Sequence, residues 1–389
     1  MKARGEDVID FSIAISHLPP PAAVLAAAHE ALRGPALPYT TVAGDATIRA
    51  RLAACVADVN RIDATPAEIL VANGAKQALY QALYAMTDPG DAVIIFKPYW
   101  PAYVATSRLL GLEPVLVDLP ATITAAVLDQ LPPAKVLILN NPHNPTGTVL
   151  TGAERDCIAA WLRKTGTRAI VDESYERLVF DGAHASLAAR PDWRALGVVT
   201  LFSASQSYAM MGWRAGFAVA PAPLVAAMEA LQGPITAAAP MLTQLALAAA
   251  FESDGSHRPH QSQHAHQSHQ SYQSYESHQP HQPHQPRSML ADYRARRDLV
   301  LDLLANLPWL TVKRPASGPY LWLDASKLGL DSHVMAERLL AEYGVAVMAG
   351  DALGGPGHLR IGYISDDVAT LRRGVSAIIA FGNACHGGR

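Results

Sequence analysis

TLFSASQSYAMMGWRAGF, residues 200–217, sets the reading of the whole chain. Val198, Val199, Leu201 and Phe202 make the end of an apolar strand, and the hydroxyl residues Ser203, Ser205 and Ser207 follow it. A glycine-bracketed arginine comes next, in Gly212-Trp213-Arg214-Ala215-Gly216. Hydroxyls and one fixed guanidinium at a strand's carboxyl end suit a phosphate, because both hydrogen-bond its charged oxygens. The same residues also suit a polar turn with a surface arginine, and on this stretch alone the two readings balance.

Outward from it, strands alternate with helices from about residue 46, the pattern of parallel strands joined by crossover helices. Residues 68–72 (EILVA) read as a strand, Asn73-Gly74-Ala75 as a tight turn, and residues 76–86 as a helix with Leu79, Leu83 and Met86 on one face. A strand, a glycine turn and a helix N-terminus bring free backbone N–H groups and a positive dipole end to one spot. The strand 92–96 leads to PYWPAY (98–103), whose Trp100 suits either a core or stacking on a flat heteroaromatic ring. Residues 137–139 run into NNPHNPTG (140–147), where two prolines fix a rigid turn. The strand 169–171 ends at Asp172, with Tyr175 three residues on. A carboxylate there could cap the next helix or keep a pyridine nitrogen protonated.

Before these lie an extended arm and a helix that starts after Pro19-Pro20-Pro21 and ends near Gly34. After them, helices are expected over 222–253 and 288–306, strands over 318–324 and 345–348, a glycine-rich loop at 350–355, and the segment HLRIGY at 358–363.

Taken together, these segments resemble the pyridoxal-phosphate aminotransferases of fold type I, class I/II, the aspartate aminotransferase class. The likeness rests on S-x-S followed by G-x-R-x-G (203–216), NGAKQAL (73–79), PYW (98–100), N-P-x-N-P-T-G (141–147), D-E-x-Y (172–175), YTTVAG (39–44) and LRIGY (359–363). It implies an α/β fold: a large domain on a mixed, mostly parallel seven-stranded sheet, plus a smaller α/β C-terminal domain. Residues 1–45 would then be an arm and helix joining the small domain, 46–287 the large cofactor-binding domain, and 288–389 the small domain. The cofactor implied is pyridoxal 5′-phosphate, the substrate an amino acid or keto acid, and the assembly a homodimer.

The resemblance also implies roles. Gly74, Ala75, Lys76, Ser203, Ser205 and Arg214 would hold the phosphate, and Tyr39 would reach the phosphate of the neighbouring subunit. Trp100 would stack on the ring, Asp172 would face the pyridine nitrogen, and Asn144 and Tyr175 would face the phenolic oxygen. Arg360, with Asn144, would grip the substrate α-carboxylate by a bidentate fork. Where such enzymes carry the Schiff-base lysine, this chain has Gln206. An amine with a depressed pKa is both nucleophile and base, and an amide is neither. The cofactor is therefore expected to be held without a covalent bond. Three accounts of Gln206 are open: an engineered Lys→Gln change, a lysine-independent enzyme running dehydration or decarboxylation with another base, and a pseudoenzyme that keeps the pocket for binding. Tyr208, Lys76, His143 and His17 are the candidate bases.

Composition bounds the rest. At 389 residues, half of them hydrophobic and 17% charged, the chain suits two domains or one large α/β domain. A net charge of −3 gives no reason to expect nucleic acid or a membrane surface. Cys55, Cys157 and Cys385 are widely spaced, which argues against a disulfide framework or thiolate metal site and for a reducing cytoplasm. No signal peptide or membrane span is expected from the pattern of apolar runs. Residues 254–287 hold eight of the fifteen histidines and almost no aliphatic residues. They read as a disordered surface insertion rather than a metal site.

Overall fold

The computed structural model describes residues 7–34, 37–255 and 286–387. Its strands, in chain order, are β1 (Ile9–Asp10), β2 (Ile69–Ala72), β3 (Ala92–Lys97), β4 (Glu113–Asp118), β5 (Val136–Asn140), β6 (Arg168–Asp172), β7 (Val198–Ser203), β8 (Gly216–Val219), β9 (Thr311–Val312), β10 (Tyr320–Asp324), β11 (Val345–Ala346), β12 (Met348–Ala349) and β13 (His358–Gly362).

Seven strands form one sheet in the order β2-β8-β7-β6-β5-β3-β4. All neighbours are parallel except those of β8, which runs against both β2 and β7. This is the mixed, mostly parallel sheet expected from sequence. Its central strands are buried on both faces, which is why they read as unbroken apolar runs. Ile94, Leu137 and Val171 face one core, while Val93, Ile138 and Ile170 face the other.

A second sheet, β12-β13-β10-β9, is antiparallel and packs its own core around Leu321, Leu323, Leu359 and Ile361. The stretch 345–348, expected as one strand, is two. β11 pairs in parallel with β1 of the N-terminal arm, and β12 joins β13. The arm then continues along β13, with Gly362 N donating to Phe11 O at 2.7 Å, and this carries Ser12 and Ala14 towards the large sheet.

Helix ends follow local chemistry. Asp45 caps Ala46–Val59 by accepting from Thr47 N and Ile48 N, and Thr151 with Glu154 forms a reciprocal cap on Gly152–Thr165. The long helix expected over 288–306 spans Pro286–Leu303. The histidine-rich stretch, apart from its ends, lies outside the described residues. Among the described residues no helix is long and apolar enough to cross a membrane.

Candidate active site

Several strand ends meet at one edge of the large sheet. Asn140 on β5 lies opposite Asp172 on β6, which lies opposite Leu201 on β7. β8 begins at Gly216, opposite both Ser203 on β7 and Ala72 on β2. Ligands of α/β sheets bind outside the carboxyl ends of parallel strands, and this edge carries Asn140, Asp172, Ser203 and the turn after Ala72.

The helix Ala75–Met86 starts there, preceded by Gly74 at φ 84°. Arg214, itself at φ 53°, lays its guanidinium over the turn. It donates from Nη1 to Met211 O (3.0 Å) and from Nη2 to Asn73 O (3.4 Å). A Cβ on Gly74 would sit 2.5 Å from Arg214 Nη2, and one on Gly216 would sit 2.7 Å from the Ala75 nitrogen. Glycine at both positions lets the strand, turn and guanidinium close on one another. On the adjoining strand end, Ser203 Oγ accepts from Ser205 N at 3.2 Å. A helix N-terminus, a guanidinium and two hydroxyls together make an anion seat. Lys76, on the exposed side of the same helix turn, places Nζ 5.0 Å over the Trp100 ring.

Trp100 meets Tyr103 edge-on at 5.5 Å. Tyr103 in turn donates its hydroxyl to Asp172 Oδ2 at 2.7 Å, while Ser174 donates from N (3.0 Å) and Oγ (2.5 Å) to Oδ1. Burial lifts Asp172 above the ordinary carboxylate range, and the Ser174 and Tyr103 hydrogen bonds draw it back. Burial, and next the Asp172 charge, push the Tyr103 phenol well up.

A buried polar chain runs from the same sheet edge to β13 of the second sheet. Asn144 takes its backbone position from Asn140, whose Oδ1 accepts from Asn144 N at 2.7 Å. Asn144 Nδ2 donates to the Tyr175 hydroxyl (3.1 Å), and Asn144 Oδ1 accepts from Arg360 Nη1 (3.2 Å). Arg360, 4% exposed, also donates from Nη2 to Ser12 O (2.8 Å) and lies 4.0 Å over the Tyr320 ring. Its Nε is buried without a partner. Burial holds the Tyr175 phenol well above its ordinary pKa.

Gln206 lies on the single helical turn Ala204–Ser207 after β7. Ser207 Oγ ties that turn to Ser174 O (3.0 Å), and Gln206 Nε2 donates to Ala14 O (3.0 Å). A chain of contacts therefore runs from Asp172 through Ser174, Ser207, Gln206 and the arm to Arg360, Asn144 and Tyr175.

Other residues singled out from sequence stand elsewhere. Tyr39 is 97% exposed and apart from this constellation. Of the candidate bases, Tyr208 is fully buried in the large core against Phe251. His17 bonds Ile364 O through Nδ1 and faces Arg296 and Asp292 through Nε2. His143 pairs Nδ1 with Thr146 Oγ1 at 2.7 Å, and burial lowers its pKa to about 4. Behind Asp172, Glu173, Glu176 and His184 bring ligand-type atoms within 4.8 Å of one another. Arg177 and Arg155 already supply positive charge there, which adds to burial in lowering His184 to about 4.

Motif reading misses Tyr103, Ser174 and the Ser12 and Ala14 carbonyls. Tyr103 left one signal, its place three residues after Trp100 at a helix start, which puts both on one side. The carbonyls left none, because they reach the site through tertiary placement of the arm.

Comparison with known proteins identifies the family and the fold. A family model described as aminotransferase class I and II matches residues 6–378. The arginine–pyruvate transaminase of Pseudomonas aeruginosa is 31% identical over 371 residues, 93% of this chain and 86% of that protein. The aspartate/prephenate aminotransferase of Thermus thermophilus is 29% identical over 376 residues, 94% of this chain and 89% of that protein. Among solved structures, Thermus thermophilus aspartate aminotransferase with maleate superposes with a TM-score of 0.84 at 28% identity, covering 98% of this chain and 93% of that one. Enzymes of this class depend on pyridoxal 5′-phosphate and act on amino and keto acids. The chain belongs to the class I and II aminotransferase family and has its fold type I α/β architecture.

Proposed function

We propose that the chain binds pyridoxal 5′-phosphate without a covalent bond and acts with it on an α-amino acid or the matching keto acid. The residues fit such a group: the anion seat, the indole and the buried carboxylate stand at the carboxyl edge of the large sheet, and Asn144 joins that edge to the buried arginine of the second sheet. In this reading Gly74, Ala75, Lys76, Ser203, Ser205 and Arg214 hold the phosphate, joined by Tyr39 of a second copy in a homodimer. Trp100 covers a ring face, Asp172 takes the pyridine nitrogen, and Asn144 and Tyr175 take the phenolic oxygen. Arg360, with Asn144, takes the substrate carboxylate, and Gln206 stands at the Schiff-base position. The large domain spans 46–287 and the small domain 288–389, and the protein works in the cytoplasm.

The bound cofactor supplies an electron sink for charge developing beside the substrate carboxylate. Asp172, held by Tyr103 and Ser174, keeps a proton on the pyridine nitrogen. The Gln206 amide moves no proton and forms no bond to the cofactor. Loss of a positioned base alone removes about 10²–10⁴-fold in rate, so transamination is slow. His143, with its pKa near 4, is a weak substitute.

The observation that carries the reading is that Asn144 bridges Tyr175 and Arg360 at the same sheet edge as Asp172. A second reading, an amino-acid-binding module without turnover, is favoured by the bond that commits Gln206 to the Ala14 carbonyl. The test is keto-acid formation from a panel of amino acids by the native chain and by Gln206→Lys. Gain of transaminase activity in the variant supports the enzyme reading. A variant that binds the cofactor and stays inactive supports the module.

A further inference from the structure

Gln206 carries an inference about which form of the cofactor the pocket keeps. Its Nε2 donates to Ala14 O, and a carbonyl only accepts, so this bond fixes which way the amide faces. Its Oε1 is then buried with no hydrogen-bond partner. A buried acceptor left unpaired is costly, and one met by a charged donor is strongly favourable.

Resting on the pocket described above, we propose that the chain retains pyridoxamine 5′-phosphate in preference to pyridoxal 5′-phosphate, with the amine donating to Gln206 Oε1. The two forms share phosphate, pyridine nitrogen and phenolic oxygen, so Arg214, Asp172, Asn144 and Tyr175 serve both alike. They differ only in the substituent that, in this reading of the pocket, would face residue 206. The aldehyde oxygen accepts and does not donate, which leaves Oε1 unpaired. The aldehyde also gains no covalent hold, because an amide nitrogen does not form the imine that a lysine amine would. The amine, charged at neutral pH, offers the donors that Oε1 lacks. Ala14 matters here as a positioning group. By occupying Nε2 it keeps the amide from offering its donor side to the cofactor.

Equilibrium dialysis of the full chain against each cofactor form, read by absorbance, tests this without turnover. Pyridoxamine 5′-phosphate should bind at least about tenfold more tightly, a difference of about 1.4 kcal/mol. Gln206→Leu should bring the two affinities within about threefold, and Gln206→Lys should reverse the order. Gln206→Met serves should circular dichroism show Gln206→Leu unfolded. Equal or tighter binding of the aldehyde by the native chain overturns the preference and leaves the pocket standing. A tenfold preference that survives Gln206→Leu and Gln206→Met overturns the role of Oε1. Binding of neither form overturns the pocket and the proposal with it.

Discussion

Tyr103 donates its hydroxyl to Asp172 Oδ2 across 2.7 Å, and both side chains are buried. With Ser174 on Oδ1, three donors meet one carboxylate. They offset the burial that would otherwise neutralise it, so Asp172 can face a pyridine nitrogen as an anion.

Tyr103→Phe should therefore act through Asp172. Burial raises Asp172 above its unfolded value, so the folded chain binds that proton more tightly and stability falls as pH rises through the interval. Removing the hydroxyl raises Asp172 further. The variant should lose about 1.5–3 kcal/mol at pH 7, the range for a hydrogen bond to a charged group, and less at pH 4. Urea unfolding at both pH values checks this, and an equal loss at both contradicts it.

His143 and His184 predict the opposite slope. Each is lowered to about 4 from an ordinary 6.5, so the unfolded chain binds more protons than the folded one between those values. Stability should rise with pH across that window and be lost on acidification through it. Thermal unfolding from pH 4 to 7 should show this, and His184→Gln should flatten the curve; an unchanged slope in the variant contradicts a neutral His184 in the fold.

Gly74→Ala places a Cβ at 2.5 Å from Arg214 Nη2 and puts a side chain at φ 84°. The guanidinium has to leave the turn, so affinity for pyridoxal 5′-phosphate should fall at least about tenfold, the weight of one charge-assisted hydrogen bond. Fluorescence titration measures it. Unchanged affinity would remove Arg214 from the phosphate seat.

Arg360→Lys keeps the charge and loses the fork that reaches Asn144 and Ser12. Amino-acid affinity of the cofactor-loaded chain should drop about tenfold to a hundredfold, with cofactor affinity little changed. Equal losses of both would place Arg360 on the cofactor instead of the substrate.

Much of this site is legible in the sequence because it is local. Gly74, Asn144 and Asp172 each sit where a short motif ends a strand, Arg214 sits just before β8 begins, and the strand order brings all four to one edge. What the sequence hides is tertiary. Nothing in the spacing of residues 9–14 says that the arm pairs with β11 and β13 and delivers the Ser12 and Ala14 carbonyls to Arg360 and Gln206. The split of 345–348 into two strands has the same cause, since its first half is claimed by the arm. Tyr103 is hidden differently: an aromatic on an apolar helix face looks like core until its hydroxyl is seen on Asp172.

The most direct test of a cofactor held by contacts alone is to load the chain with pyridoxal 5′-phosphate, treat it with borohydride, unfold it, and ask where the chromophore is. The account predicts that the native chain binds the cofactor and releases it on unfolding, while Gln206→Lys keeps it attached. Chromophore still bonded to the native chain after reduction and unfolding, or none bound at the start, would contradict it.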